Sequence, residues 1–280
     1  MILINKSSDL LSYISEQKQG NRSIGFVPTM GALHNGHLSL IAAAKQKCDI
    51  VVCSIFVNPT QFNQESDLAS YPRTLENDID LLLSVSCDVL FHPNVVEVYG
   101  NTLDKDSSED YGSFIHQLEG ASRPGHFDGV VTVLRKLFAL VGPTDVFFGQ
   151  KDYQQCLVVK TLIKRSFPQI VFNLCSITRE EDGLAMSSRN VRLSEEERRL
   201  APQIHDNLQL VSQYWNKEQW QLGLNLAQLN LKKEPFCFEY LCACDPISLA
   251  ELNVFQSNAI VLVAVQLGST RLIDNIIIVP

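Results

Sequence analysis

Little in this sequence marks a fibre, a membrane protein or a nucleic-acid binder. No apolar run approaches the ~18 residues that a membrane helix needs; the longest, such as residues 259–265, have strand length. Basic residues come singly rather than in blocks, and 23 Lys and Arg stand against 31 Asp and Glu, a net charge of −8. That balance argues against a nonspecific nucleic-acid binder, which neutralises phosphates with many cations. One bound nucleotide is not excluded, since a few local cations suffice. Glycines (14) and prolines (11) are too few and too scattered for a fibrous or low-complexity chain, and no internal repeat is present. The opening Met1-Ile-Leu-Ile-Asn-Lys6 lacks a basic region ahead of an apolar stretch, so no signal peptide is expected. The eight cysteines include no C-x-x-C pair, and Cys242-Ala-Cys244 alone is a poor zinc signal. They read as buried free thiols in a reducing cytoplasm, not as a disulfide framework.

What is present is an ordinary globular composition. Of 280 residues, 45% are hydrophobic and 19% charged, enough for one large domain or two moderate ones. Short apolar runs at 24–28, 50–57, 89–91, 146–148 and 170–174 read as strands. Between them lie helical patterns at 38–47, after Thr74, after Asp128 (expected as the cap) and from Asp152 to about Ser166. Residues 100–112, acidic and rich in Asp and Ser, read as an exposed loop. Five strands alternating with helices predict an α/β fold, a Rossmann-like, doubly wound parallel sheet with right-handed crossovers. After residue 190 the character changes. Ser194-Glu-Glu-Glu197 is a capping box, a second helical run covers 217–232, and apolar runs at 236–241, 259–266 and 276–279 complete a smaller α+β domain. The expected domains are 1–183 and 184–280.

Ligands of such sheets bind beyond the carboxyl ends of the strands, and those segments carry the chemistry. After the first run comes Pro28-Thr-Met-Gly-Ala-Leu-His34-Asn-Gly-His37. Two histidines three apart at a helix entrance can donate to phosphate oxygens, and helix N-terminal amides favour the same anion; the plain alternative is that one histidine caps the helix. Asn58 and Gln61 offer neutral donors and acceptors suited to hydroxyls and a carboxylate, against the alternative of a simple Asn-Pro turn. Lys151 opens a helix against its dipole, as an anionic ligand would require, with Gln155 one turn on. Ser187, Ser188 and Arg189 follow a Gly183 turn as a mobile, phosphate-gripping loop.

These segments resemble the pantothenate synthetase (pantoate–β-alanine ligase) family. The resemblance rests on Phe26-Val-Pro-Thr-Met-Gly-Ala-Leu-His-x-Gly-His37, Val57-Asn-Pro-Thr-Gln-Phe62, Tyr71-Pro-Arg-Thr74, Glu119-Gly-Ala-Ser-Arg-Pro-Gly-His-Phe127, Phe148-Gly-Gln-Lys-Asp152, Gly183-Leu-Ala-Met-Ser-Ser-Arg-Asn190 and Gly268-x-Thr-Arg-Leu-Ile-Asp-Asn275, from about residue 20 to the C-terminus. It implies adenylation of pantoate by ATP, then attack by β-alanine on the pantoyl adenylate. Met30, Gly31, Ala32, Leu33, His34, Asn35, Gly36 and His37 would line the ATP site, with His37 as proton donor. Gly149, Gln150, Lys151, Asp152, Met186, Ser187, Ser188 and Arg189 would hold ribose and phosphates, and the main chain at Thr178 would contact adenine. Asn58, Gln61 and Gln155 would hold pantoate, Gln61 also lying near β-alanine. Catalysis would fall to His37, His34, Lys151 and Arg189. Mg²⁺ would arrive with ATP, with Asp78 as its protein contact, and a homodimer is implied.

The chain departs from the family pattern at Thr178, usually valine; at Arg192, commonly tyrosine; and at Cys242 and Cys244, on a strand usually lacking cysteine. None falls on the implied chemistry. Two other readings compete: a related nucleotidyltransferase acting on a phosphorylated acceptor, and a non-catalytic nucleotide-binding module. The first would want cations where Asn58, Gln61 and Gln155 stand; the second would not need motifs at every strand end.

Overall fold

Val27, Val51, Cys53 and Leu90 bury one face of a sheet against Leu40, Ile41 and Ala44 of the helix Asn35–Lys47 and Leu82 of the helix Leu75–Ser84. The opposite face carries Phe26, whose ring meets Phe138 of the helix His126–Val141 edge to face at 6.2 Å. The period of two along each strand thus feeds helices on both sides, which is the doubly wound arrangement. A computed structural model of the chain describes residues 1–63, 65–103, 111–215 and 219–279.

The strands are β1 (Ile2–Ile4), β2 (Ile24–Thr29), β3 (Ile50–Ile55), β4 (Val89–Phe91), β5 (Asp145–Gly149), β6 (Val171–Cys175), β7 (Phe236–Cys244), β8 (Ala259–Leu267) and β9 (Thr270–Ile278). The first six form one all-parallel sheet in the order β1-β4-β3-β2-β5-β6. Six strands replace the five expected, because β1 is a three-residue edge strand whose Ile2 and Leu3 are about half exposed. The direction of winding reverses between β2 and β5. β2 pairs with β3 at six positions, yet with β5 only at Gly25–Asp145 and Phe26–Val146. Their pairing therefore stops before Thr29 and Gly149, at the switch point of the sheet, where ligands of such sheets bind.

The chain divides into two compact units, residues 1–149 with 155–175, and residues 150–154 with 176–280. This division falls ahead of the 183/184 boundary expected from the sequence, and Gln150–Gln154 goes with the second unit. That unit holds the antiparallel sheet β7-β8-β9. Val261, Val263 and Val265 pack there against Leu208, Val211 and Trp215 of the helix Gln203–Trp215 and against Leu224 and Ala227 of the helix Trp220–Leu231. The capping box at Ser194 is present in full, with Glu197 reaching back.

Several local expectations change. The helix expected from Asp128 begins at His126, because Gly125 at φ +76° turns the chain into it. The helix expected from Asp152 begins at Tyr153, behind a single 3₁₀ turn over Gln150–Asp152. The last apolar run, expected at 276–279, belongs to a strand that starts at Thr270. Of the helix expected over 217–232, the described part is Trp220–Leu231, and 217–218 lie outside the described residues. In the loop expected at 100–112, residues 104–110 lie outside the described residues, but Tyr111 is buried and its hydroxyl accepts from Arg135 at 2.9 Å. No disulfide joins the eight cysteines, and among the described residues no helix is long and apolar enough to cross a membrane.

Candidate active site

Beyond β2 the chain turns through Gly31 (φ +83°) and Ala32 (φ +48°) before the helix Asn35–Lys47. A left-handed alanine is sterically costly, and Asp78 holds it there. Its Oδ2 accepts the Ala32 N–H at 3.0 Å, and its Oδ1 accepts the Leu33 N–H at 2.8 Å and the Thr74 hydroxyl at 3.2 Å. A Cβ on Gly31 would come within 3.1 Å of the same carboxylate. Asp78 is 1% exposed and both its oxygens are taken up by the turn. It is therefore an anchor of the His34–His37 approach. Among the described residues no group of three or more His, Cys, Asp or Glu side chains is arranged to hold a metal.

His34 is the N-cap of the helix, and its Nδ1 accepts the Gly36 N–H at 3.1 Å. A neutral imidazole whose Nδ1 accepts carries its proton on Nε2. The two readings of this histidine are thus compatible: one nitrogen caps and the other carries the proton. His37 lies one turn on, its ring centroid 4.1 Å from that of His34.

After β3, Asn58 is 1% exposed and fully engaged. Its Nδ2 donates to Gln61 Oε1 and to the Gly129 carbonyl, both at 3.1 Å; its Oδ1 accepts from Tyr99 at 2.7 Å and from the Thr60 hydroxyl at 3.0 Å. Asn58, expected to hold pantoate, builds the turn that presents Gln61. The turn lies so close to the helix His126–Val141 that a Cβ on Gly129 would stand 2.3 Å from the Thr60 oxygen. His126 Nδ1 donates to the Gln61 carbonyl at 2.8 Å. Its remaining nitrogen lies 3.3 Å from Arg123. Sequence reasoning gave Arg123 and His126 no role, although both lie in the Glu119–Phe127 motif. The Gln61 amide meets Met30 Sδ at 2.9 Å, so the segments after β2 and β3 converge. Gln155 is half-buried in the first turn of the helix Tyr153–Ser166 and makes no hydrogen bond with Asn58 or Gln61. At the end of β5, a Cβ on Gly149 would meet no atom within 4 Å.

In the second unit, Lys151 sits in the 3₁₀ turn Gln150–Asp152, its Nζ 3.7 Å from Asp152. Met186 N–H donates to the Thr178 carbonyl at 3.0 Å and Arg179 pairs with Ala185, so 178–186 is a hairpin turning at Gly183 (φ +90°). The loop expected to be mobile is stitched further: Ser187 Oγ accepts the Arg189 N–H at 3.2 Å, and Asn190 Nδ2 donates to the Ala185 carbonyl at 3.1 Å. Asp274 and Asn275, buried on β9, contact this hairpin and the Gln150–Lys151 turn respectively. The sequence offered only their place in the Gly268–Asn275 motif as a signal.

The parallel sheet, its switch point and the histidine-capped helix beside it define a Rossmann-like α/β protein. The model of the pantoate-beta-alanine ligase family matches residues 2–277. The pantothenate synthetase of Acinetobacter baylyi is 43% identical over 273 residues, covering 95% of each chain; that of Thermoanaerobacter sp. is 42% identical over 281, covering 99% of this chain and 98% of the relative. Among solved structures, pantothenate synthetase from Thermus thermophilus superposes with a TM-score of 0.93 at 37% identity, covering all of both chains. Pantoate-beta-alanine ligase from Francisella tularensis, complexed with beta-gamma ATP and beta-alanine, gives 0.80 at 36% identity, covering 99% of this chain and 97% of that one. This chain belongs to the pantoate–β-alanine ligase family and is an enzyme of the ligase class.

Proposed function

We propose that the enzyme condenses pantoate with β-alanine in two ATP-driven steps. A pantoate carboxylate oxygen attacks the α-phosphorus of ATP, the bond to the β-phosphate oxygen breaks, and pantoyl adenylate and pyrophosphate result. The β-alanine amine then attacks the acyl carbon, loses a proton and expels AMP, leaving pantothenate. The observation that carries this reading is the geometry of His34, whose Nδ1 caps the helix so that the ring's proton sits on Nε2, at a helix N-terminus. The ATP and β-alanine bound by the Francisella tularensis relative support the choice of substrates.

In this reading His34 and His37 donate to the phosphates, His37 also as the proton donor. Lys151 and Arg189 offset the charge that grows on the α-phosphate and the leaving pyrophosphate, the kind of fixed stabilisation that contributes most to such catalysis. Magnesium belongs to the substrate, as MgATP. The backbone of Gly31, Ala32, Leu33, Asn35 and Gly36, with Met30, approaches the nucleotide; Gly149, Gln150, Asp152, Thr178, Met186, Ser187 and Ser188 complete its site. Gln61 and Gln155 take pantoate and Asn58 orients Gln61. A homodimer follows from the family resemblance, and a cytoplasmic location from cysteine usage.

A pyrophosphate-release assay with MgATP and pantoate, omitting β-alanine, tests the reading. Pantoate-dependent release, with β-alanine then yielding AMP and pantothenate, is expected. Release only with a phosphorylated acceptor, or nucleotide binding without turnover, would overturn it.

A further inference from the structure

Two adjacent residues of β9 hold the phosphate-side segments of the second unit, one from each face of the strand. Asp274 pairs with Val263, which packs into the core with the helix Gln203–Trp215; Asn275 pairs with Leu262. Alternation along the strand sends their side chains to opposite faces. On the helix side, Asp274 accepts a two-pronged pair from Arg179, at 2.6 Å to Oδ2 and 3.0 Å to Oδ1, a geometry that fixes direction as well as distance. The same guanidinium donates to the Gly183 carbonyl at 3.0 Å, so the ion pair closes the hairpin that leads into Met186–Arg189. On the other side, Asn275 Nδ2 donates to the carbonyls of Gln150 and Lys151, each at 3.0 Å, and Asn275 Oδ1 accepts from Gln150 Nε2 at 3.0 Å. The two residues are tied to each other by the Asn275 N–H on Asp274 Oδ1 at 2.7 Å. Asn275 is 1% and Asp274 4% exposed.

We propose that Asn275 and Asp274 are positioning residues of the adenylation step, Asn275 fixing the Gln150–Lys151 turn so that the lysine side chain leaves it in one direction, and Asp274 fixing the Arg179 hairpin that carries Ser187, Ser188 and Arg189. The inference rests on the ATP-site reading given above. Three hydrogen bonds between one buried amide, twice donor and once acceptor, and one 3₁₀ turn exceed what strand pairing requires. An aspartate at 275 has the same shape, but it would set a carboxylate against two carbonyl oxygens. Neither residue reaches substrate in this account; both act through neighbours that do.

The test is steady-state and single-turnover pyrophosphate release by the full-length enzyme. Asn275→Ala and Asn275→Asp are expected to lower the adenylation rate on the order of 10–10²-fold, the scale of a misplaced catalytic group. The KM for ATP should rise and that for pantoate stay unchanged. Because Asn275 acts through Lys151, adding Asn275→Ala to Lys151→Ala should cost almost nothing further. A loss that multiplies that of Lys151→Ala, or that moves both KM values and the thermal midpoint together, would mean ordinary structural damage and overturn the proposal. Should the Asn275 variants fail to fold, Asp274→Asn, matched in size, carries the test: a folded variant with wild-type ATP kinetics overturns it. Wild-type enzyme without pantoate-dependent release would defeat the functional reading itself, whereas active wild type matched by active variants defeats this inference alone.

Discussion

The imidazole rings of His34 and His37 sit with centroids 4.1 Å apart and planes inclined by 38°, on consecutive turns at the start of one helix. Two protonated rings at that distance would repel each other, and the helix N-terminus adds to the repulsion. The arrangement favours a neutral His34, with Nδ1 on the Gly36 N–H. In the proposed reaction, capping and chemistry share one residue but use different nitrogens.

That division can be separated by substitution. Asparagine is a good N-cap but offers nothing in place of Nε2–H. His34→Asn should keep the thermal midpoint near wild type yet lower pantoate-dependent pyrophosphate release by about 10²–10³-fold, the usual cost of one charge-stabilising donor. His34→Ala should show the same kinetic loss plus about 1 kcal/mol of stability from the missing cap. Restored activity in His34→Asn would show that only the cap matters.

Two glycines should respond oppositely to alanine. At Gly129 a Cβ would press on Thr60 O at 2.3 Å and Gln61 N at 2.7 Å. Gly129→Ala should lose roughly 1–3 kcal/mol in denaturant unfolding, as overpacked sites do, and raise the KM for pantoate by moving Gln61. At Gly149 the added methyl meets open space, so stability should hold while ATP affinity falls in calorimetry. Unaltered ATP affinity in Gly149→Ala would remove Gly149 from the nucleotide site.

The sequence made β2 to β6 legible because each is a short apolar run closed by a turn, and it made the His34–His37 segment legible through its spacing. It did not make β1 legible: three residues at a sheet edge, two of them half exposed, leave no alternation to read. For Asn58 the sequence shows donors and acceptors but not the groups within the chain that meet them, here Tyr99, 41 residues on, and Gly129, 71 residues on. Asp274 and Asn275 were hidden for the same reason, since Arg179 and Gln150 lie 95 and 125 residues away. Asp78 entered only through the resemblance, as a cation contact, and nothing in the sequence announces the two backbone amides that it binds. Periodicity reports what a residue's own element does; long-range partners decide what a polar group does.

Asn58 itself yields a prediction. Removing its amide leaves the Tyr99 hydroxyl and the Gly129 carbonyl without a bond each now has. A buried group stripped of its partner costs about 1–3 kcal/mol. Asn58→Ala should therefore destabilise the enzyme by at least that much in urea unfolding, and weaken pantoate binding only through Gln61. A variant with full stability and abolished pantoate binding would return Asn58 to the role of direct ligand.

The last prediction concerns acid. His205 lies on the helix Gln203–Trp215 with Nδ1 4.0 Å from Asp274 Oδ2. Burial first, and the Arg179 charge second, hold its pKa below the ordinary 6.5, while Asp274 and Asp206 pull more weakly the other way. In the unfolded chain the ring titrates near the ordinary value. Between that value and the depressed folded one, the unfolded state binds the extra proton. Stability is then fully present above about pH 6.5 and falls as pH drops toward the folded pKa. A proton on His205 also sets a second cation beside the Arg179–Asp274 pair. Urea midpoints for wild type and His205→Gln at pH 7.5 and pH 5.5 check this. The wild type should lose more stability over the interval than the variant. His92, also depressed by burial, keeps some pH dependence in both and cancels in the difference. Parallel losses in the two proteins would show that His205 binds its proton equally well folded and unfolded, and would remove it as the acid-sensitive group beside Asp274.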